Sequence, residues 1–303
     1  MRPHYNTRIT MYDYLIADIR LRCDKDLVEM GLRGFKPFAT ESSNSEAHCT
    51  IHFVDSIDVE ALGNRHTLAE SYIADSDSDS AFYATKEGYL YSIVSRGENQ
   101  QPALFYIDST TNEVVTDIKP SDNISLAVLR FGIWVMFGTV LLKHNAVAIH
   151  SSVIVANERG VLFLGESGTG KSTHTRLWRE NIEGARLLND DSPIVRIADG
   201  EVRVYGSPWS GKTPCYKNEV YPMAGLCRLS QAPHNRITRL SNLMAIGALL
   251  PSCPPIFAHD TALQDMICKT VGDIVRGTRG YHLECLPNKE AAELSYNTII
   301  CNE

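Results

Sequence analysis

The segment at positions 165–172 carries the most specific chemistry in the sequence. It fits the pattern GxxxxGK[ST], in which glycines let backbone N–H groups turn toward an anion without obstruction by Cβ atoms. Lys171 supplies a positive charge for the β and γ phosphates, and the Ser172 hydroxyl is placed to bind Mg²⁺. The segment therefore predicts a loop that holds the phosphates of ATP or another nucleoside triphosphate. The alternative is a glycine-rich turn between a strand and a helix that binds no ligand.

Two adjacent aspartates, Asp190 and Asp191, follow the next apolar segment of the chain. Phosphoryl transfer uses a carboxylate to hold the metal ion, and a second one can accept the proton of a hydroxyl acceptor. Because successive side chains of a strand point in different directions, two aspartates at a strand end can do both. The pair indicates a phosphotransferase site beside the loop. The alternative is a capping or turn pair that leads into Pro193.

The elements around these residues alternate between strands and helices. An apolar strand at 160–164 precedes the loop, a helix begins near residue 171, and a short strand at 186–188 leads to the aspartates. This alternation is typical of an α/β domain. Further strands are predicted at 146–155, 194–197, 202–205, 223–229, 237–240 and 281–286. Ser241 and Asp260 are each predicted to cap a helix, and a last helix is predicted at 289–300.

Residues 1–118 predict a mostly β domain, which we expect to recognise the acceptor. Short runs rich in Tyr, Ile, Val and Phe alternate there with turn-forming residues. The acidic run at 75–80 lacks the glycine and final glutamate of an EF-hand loop and is interpreted as a solvated turn. The boundary falls near Lys119 and Pro120, which gives domains at 1–118 and 119–303. The predicted strands are 12–21, 50–54, 81–85, 89–95 and 103–107.

The apolar segment at 124–142 is interpreted as a buried core helix and not as a membrane span, because Arg130 would lie near mid-bilayer. The N-terminal residues lack the apolar core of a signal peptide. We therefore expect a cytoplasmic protein without a membrane partner.

Charge and cysteine content exclude two further classes of site. The net charge of -7 argues against a general nucleic-acid binder, which usually carries a basic face. The eight cysteines contain no CxxC pair, so the sequence predicts free thiols in a reducing compartment and no zinc site.

With these residues in place, the sequence resembles the HPr kinase/phosphorylase family and, more distantly, ATP-dependent phosphoenolpyruvate carboxykinase. The resemblance runs from residue 147 to 229 and is carried by the segments 148–152, 165–173, 188–191 and 206–212. It implies an α/β P-loop domain of HPr-kinase/carboxykinase type, preceded here by the mostly β domain. It also implies ATP and Mg²⁺ as cofactors and transfer of the γ-phosphoryl group to a serine-type hydroxyl. Oligomers are compatible with the resemblance.

The resemblance also implies roles for single residues. Of the two aspartates, one is the base and one the metal partner; we assign Asp190 as base and Asp191, with Ser172, as metal ligand. His150 would tune or orient the catalytic aspartate, and Lys212 would reach the transferring phosphate, with Lys171 acting in catalysis as well. The residues predicted to bind the nucleotide are Gly165, Glu166, Ser167, Gly168, Thr169, Gly170, Lys171, Ser172 and Thr173.

The sequence departs from the family at one segment. The Glu-Ile-Arg-Gly-Leu-Gly segment of authentic HPr kinases is replaced by residues 221–226, Tyr-Pro-Met-Ala-Gly-Leu. The expected acceptor is therefore not HPr but an unidentified protein, peptide or small molecule with a hydroxyl group. Two other functions stay open: a non-catalytic module that changes its binding with nucleotide, and a simple NTP hydrolase.

Overall fold

The computed structural model describes residues 10–42, 45–96, 101–211 and 213–301. The chain divides into two compact units, Met1–Val140 and Leu141–Glu303. This division falls inside a long helix, whereas the sequence pattern placed the boundary before that helix, near residue 118. Each unit contains its own sheet, so the protein is mixed α/β with two sheets.

The first unit is built on a nine-stranded sheet within the described residues, in the order β3-β1-β2-β4-β9-β8-β7-β6-β5. Most neighbours are antiparallel, but β4 pairs in parallel with both β2 and β9. The strands are β1 (Tyr12–Ile16), β2 (Ile19–Cys23), β3 (Ala39–Thr40), β4 (Cys49–Phe53), β5 (His66–Ile73), β6 (Ser78–Ala84), β7 (Gly88–Ser95), β8 (Ala103–Asp108) and β9 (Glu113–Thr116).

Two predictions for this unit differ from the structure. The predicted strand at 12–21 is a hairpin, β1–β2, because Ala17 and Asp18 take positive φ angles of 52° and 60° and reverse the chain. The acidic run at 75–80 is only partly a turn, since β6 begins at Ser78. Ser78 and Ser80 are buried in the sheet, where the Ser78 hydroxyl donates to the carbonyl of Ser76.

Helix α1 (Asn123–Lys143) is long and apolar enough to cross a membrane by length and composition, but 61% of its most apolar window is buried. Within the first unit, its Gly132 lies against the ring of Phe105 on β8. A Cβ atom at this glycine would come within 2.2 Å of the ring. The close approach explains why a residue without a side chain stands at this position of the helix.

The second unit contains another nine-stranded sheet within the described residues, seven of whose strands follow the order β10-β14-β15-β16-β12-β11-β13. β16 lies inside the sheet, antiparallel to β15 and parallel to β12 and β18, and β17 pairs with β18. The strands are β10 (Ala146–Ala148), β11 (Ser151–Ala156), β12 (Arg159–Leu164), β13 (Arg186–Asp191), β14 (Ile194–Ala198), β15 (Glu201–Tyr205), β16 (Val220–Gln231), β17 (Arg236–Arg239) and β18 (Arg279–Cys285). The helices are α2 (Lys171–Asn181), α3 (Asn242–Leu249), α4 (Thr261–Gly277) and α5 (Lys289–Tyr296).

The predicted strand at 146–155 is two strands, because the chain leaves the sheet at Ile149 and His150. The Ile149 N–H donates to the carbonyl of Pro193, and the His150 N–H donates to the carbonyl of Ser252. β10 pairs with β14, whereas β11 pairs with β12 and β13. The break exposes the side chain of His150 between the two strands.

A buried polar cluster joins α2 to α5. The Trp178 indole N–H donates to the Ser295 hydroxyl at 2.8 Å, and His174 Nε2 lies 3.0 Å from the same hydroxyl. The Trp178 indole N–H also lies 3.2 Å from His174 Nε2, so this ring nitrogen serves as an acceptor. Burial lowers the pKa of His174 from 6.5 to about 4, which keeps the ring neutral. The cluster therefore fixes the helix that follows the glycine-rich loop.

This cluster predicts a pH dependence of stability. Because the pKa of His174 is lower in the folded chain than in the unfolded chain, the unfolded chain binds more protons between pH 6.5 and 4. The contribution of the neutral His174 ring to the stability of the folded chain is complete above pH 6.5 and is lost as the pH falls toward 4. Between pH 7 and 5 we expect the His174 ring to account for a loss of about 2 kcal/mol in the free energy of unfolding.

Urea denaturation of wild type and His174→Leu across this range measures that difference. The control is His259→Leu, since His259 is exposed. We expect the control to show the same pH dependence as wild type. In His174→Leu, the change in the free energy of unfolding between pH 7 and 5 should be smaller by about 2 kcal/mol. Equal pH dependence in His174→Leu and wild type would contradict a buried neutral histidine.

Candidate functional site

The glycine-rich loop connects β12 to α2, as the motif predicts. Gly165 has a φ of 153°, and a Cβ atom there would lie 2.4 Å from the Thr169 hydroxyl oxygen. Gly170, with a φ of 103°, is the residue from which α2 begins. Both positions therefore require glycine. The Thr169 side chain closes the loop from within, since its hydroxyl donates to the Glu166 carbonyl at 2.8 Å.

Lys171 folds back over this loop. Its ammonium group donates to the carbonyl of Gly165 at 2.7 Å and to that of Glu166 at 3.3 Å. Burial lowers the pKa of Lys171, while the nearby Asp190 and Asp191 carboxylates oppose that shift. The positive charge is thus held at the mouth of the loop, where an incoming phosphate would meet it.

Asp190 lies on β13 directly beside the loop serine. The register of β11 and β13 places it opposite Ser152, whose hydroxyl donates to Asp190 Oδ1. The Ser172 hydroxyl donates to Asp190 Oδ2 at 3.3 Å. Each oxygen of this carboxylate therefore faces a hydroxyl group, one from the sheet and one from the first turn of α2.

Asp191 faces a different partner. Its Oδ1 lies 3.4 Å from Nδ1 of His150, and its side chain is 41% exposed. The other ring nitrogen of His150, Nε2, lies 3.3 Å from the Lys171 ammonium group. The two aspartates are adjacent in sequence but are held in separate contacts, Asp190 with serines and Asp191 with a histidine.

A buried amide fixes the chain that runs beside these aspartates. Asn189 donates to the Trp209 carbonyl at 3.0 Å and lies 3.3 Å from the Ser207 hydroxyl, and its Oδ1 accepts from the Ser192 N–H. The Gly211 N–H then donates to the Asp190 carbonyl at 2.8 Å. The segment 206–211 is therefore held against β13 by the Asn189 amide and by the backbone bond of Gly211.

The structure brings together most of the residues that the sequence singled out. His150, Lys171, Ser172, Asp190 and Asp191 meet at one end of the loop. Lys212 lies outside the described residues. Glu166 contributes its carbonyl to the loop, and Thr173 lies in the first turn of α2. The catalytic and ligand roles of all these residues stay predictions.

The sequence pattern predicts no role for Ser152 or Asn189. Both belong to segments that carried the family resemblance, and both are fully buried in the sheet. The available signal was a polar residue inside an otherwise apolar strand, because a buried polar group needs a hydrogen-bond partner.

Ser172 and Asp190 fit a magnesium ion by their chemistry. Both present oxygen atoms, which Mg²⁺ prefers, and the two oxygens lie 3.3 Å apart. Within the described part of the chain, no group of three or more His, Cys, Asp or Glu side chains could hold a metal. Mg²⁺ at nucleotide sites is held by one or two protein ligands together with phosphates and waters, so a sparse donor set suits it.

Comparisons with known proteins give matches among solved structures only. No family model matches the chain, and a search of curated proteins finds no match. Among solved structures, the chain is similar to one described as the Hpr(Ser) kinase/phosphatase from Coxiella burnetii. The identity is 13% and the TM-score 0.29, over 51% of this chain and 94% of that chain. Values this low do not establish a shared function.

The buried amide yields a prediction. Asn189→Ala would leave the buried Ser192 N–H without its Asn189 partner, which costs about 1–3 kcal/mol, whereas the Trp209 carbonyl keeps its bond from the Ser207 hydroxyl. We expect the free energy of unfolding to fall by about 1–3 kcal/mol.

Chemical denaturation followed by circular dichroism measures the change. Asn242→Ala, at the exposed start of α3, is the matched control and should stay within about 0.5 kcal/mol of wild type. An equally small effect for Asn189→Ala would show that segment 206–211 does not depend on the amide.

Proposed function

We propose that this chain is an ATP-dependent kinase that transfers the γ-phosphoryl group to a serine-type hydroxyl of a protein, a peptide or a small molecule. The second unit would then be a P-loop domain of HPr-kinase/carboxykinase type. One observation carries the proposal: a GxxxxGK[ST] loop faces two carboxylates that have separate partners. A module that only binds nucleotide has no use for a second carboxylate placed in this way.

The contacts favour an exchange of the roles that the resemblance suggested for the aspartates. Asp190, beside Ser172, is suited to hold Mg²⁺, which would neutralise charge on the phosphates. Asp191, whose side chain is 41% exposed and lies beside His150, is suited to act as the base. The His150 contact would orient its carboxylate toward the acceptor.

In the proposed reaction, the acceptor hydroxyl oxygen bonds to the γ-phosphorus while its proton passes to Asp191. The bond from that phosphorus to the β–γ bridging oxygen breaks, and ADP leaves. Lys171 offsets the charge of the phosphates. Lys212 follows Gly211 in the sequence and is proposed to reach the same phosphate.

The exchange of roles is tested with Asp190→Asn and Asp191→Asn. We expect Asp191→Asn to reduce phosphoryl transfer by about 10²-fold or more, because a positioned base contributes about 10²- to 10⁴-fold. Its affinity for nucleotide should stay within about threefold of wild type. Asp190→Asn should instead weaken the binding of nucleotide in the presence of Mg²⁺ and have little effect without the metal ion.

Calorimetry with and without Mg²⁺ and a transfer assay measure the two effects. Asp199→Asn is the matched control, since Asp199 lies exposed in the hairpin turn between β14 and β15. The reverse pattern, with binding lost in Asp191→Asn and transfer lost in Asp190→Asn, restores the assignment that the resemblance implied.

The kinase proposal itself is tested by the fate of labelled γ-phosphate. Purified protein, Mg²⁺ and γ-labelled ATP are incubated with a cytoplasmic extract, since we propose a cytoplasmic acceptor. We expect label on serine in a protein or peptide fraction, or on a small hydroxyl compound, and none with Lys171→Met. Label that appears only as free phosphate would favour the hydrolase, whereas bound nucleotide without turnover would favour the binding module.

A further inference from the structure

A cavity of about 590 Å³ lies beside the phosphate loop, and its described lining includes neither Asp190 nor Asp191. One wall is formed by loop residues 168–170 and by Thr173 in the first turn of α2. The other wall comes from the C-terminal ends of β16 and β18 and the residues that follow them, including Leu229, Cys285 and Leu286. Its volume lies within the range of about 300–1,000 Å³ that small-molecule sites occupy.

The order of the loop residues indicates which end of a bound nucleotide would lie at this cavity. Lys171, Ser172 and Asp190 meet at one end of the loop, where the terminal phosphate is placed in the proposed function. An α-helix turns about 100° per residue, so Thr173 projects from a different side of α2 than Lys171 does. A triphosphate whose terminal group lies at Lys171 therefore has its other end near residues 168–173, at the mouth of the cavity.

The lining of the cavity fits an uncharged, planar group. Its described residues include no Asp, Glu, Lys or Arg, and its histidine, His174, is kept neutral by burial, which lowers its pKa to about 4. Much of the lining is apolar, as at Leu177 and Leu229. A charged group would lose its hydration there without a countercharge, whereas a neutral ring would gain from burial.

Several polar groups around the cavity are already bonded to the protein. The Gln231 amide donates to the Gly168 carbonyl at 3.2 Å and so ties the end of β16 to the loop. The Ala232 N–H donates to the Cys285 carbonyl, and the Leu286 N–H donates to Asn235. A planar ring in the cavity would therefore be bound mainly by apolar contacts between its faces and the cavity walls.

We infer that this cavity, the base pocket, binds the purine base of the nucleotide. The inference rests on the proposed function, because it needs a triphosphate in the loop. It adds a second binding region, built from β16, β18 and residues 285–287, whose contribution to affinity is separate from that of the phosphates.

The test compares ATP with inorganic tripolyphosphate, which engages the loop but has no base. Ala232→Trp places a large side chain at the half-buried rim of the base pocket, and Ala258→Trp, at an exposed position, is the matched control. We expect Ala232→Trp to raise the Kd for ATP at least about tenfold while the Kd for tripolyphosphate stays within about twofold. The control should leave both values at those of wild type.

The outcomes separate the two proposals. Unchanged ATP affinity in a folded Ala232→Trp protein overturns the base pocket and leaves the phosphate loop intact. Failure of wild type to bind tripolyphosphate, or binding that Lys171→Met does not weaken, overturns the proposed function on which the pocket rests.

If Ala232→Trp does not fold, thiol alkylation of the wild-type protein tests the base pocket instead. Cys285 lines the base pocket and is half-buried, so alkylation of its thiol can be followed by mass spectrometry. Saturating ATP should slow its alkylation at least about fivefold, whereas saturating tripolyphosphate should not. The exposed Cys268 is the internal reference and should react at the same rate in all samples. Equal protection of Cys285 by both ligands would contradict a base in the pocket.

Discussion

The register between β11 and β13 is the constraint on which the candidate site depends. It places Ser151 opposite Asp191 and Ser152 opposite Asp190, after an irregularity at Val153 and Ile154 that leaves Leu188 as an extra residue on β13. Because side chains alternate along a strand, a slip of one residue would turn Asp190 away from Ser172. An extra residue of this kind re-aims the side chains that follow it, and such irregularities are frequent beside active sites. The apolar side chains of both strands, buried on the core side, resist the slip.

The charges of the site explain why a metal ion belongs in the proposed function. Two carboxylates and a polyphosphate are all negative, and at close range in a partly buried site their repulsion is substantial. Lys171 supplies one positive charge, which is already shared with the carbonyls of Gly165 and Glu166. A divalent cation between Asp190 and the phosphates would convert a repulsive contact into an attractive one. Asp191, which lies beside His150, would then remain available for the proposed acceptor.

The positions of the loop and of the two aspartates were predicted from the sequence more accurately than the elements around them, whereas their functional roles stay predictions. The loop, the helix after it and the aspartates were predictable because the motif fixes spacing, and strand ends on one edge of a sheet lie together. Elsewhere the local sequence pattern did not predict where strands break or which buried polar residues pair. The breaks at Ala17 and Asp18 and at His150 occur inside β-like segments, without the glycine or proline that usually marks such a turn. The roles of Ser152 and Asn189 depend on partners distant in sequence, which periodicity cannot reveal.

The backbone at Asp191 connects this packing to the proposed chemistry. Its φ of 136° lies in a region that residues with a side chain rarely adopt, at a cost on the order of 1–3 kcal/mol. The surrounding structure holds that conformation: Asp191 forms an isolated β-bridge with Ser210, and the Gly211 N–H binds the carbonyl of Asp190. Both contacts depend on segment 206–211, which the buried Asn189 amide anchors to β13. The strained backbone turns the Asp191 carboxylate toward His150 and away from the Ser172 side occupied by Asp190. Two neighbouring aspartates thereby acquire different partners, which is the condition for dividing metal binding and proton acceptance between them.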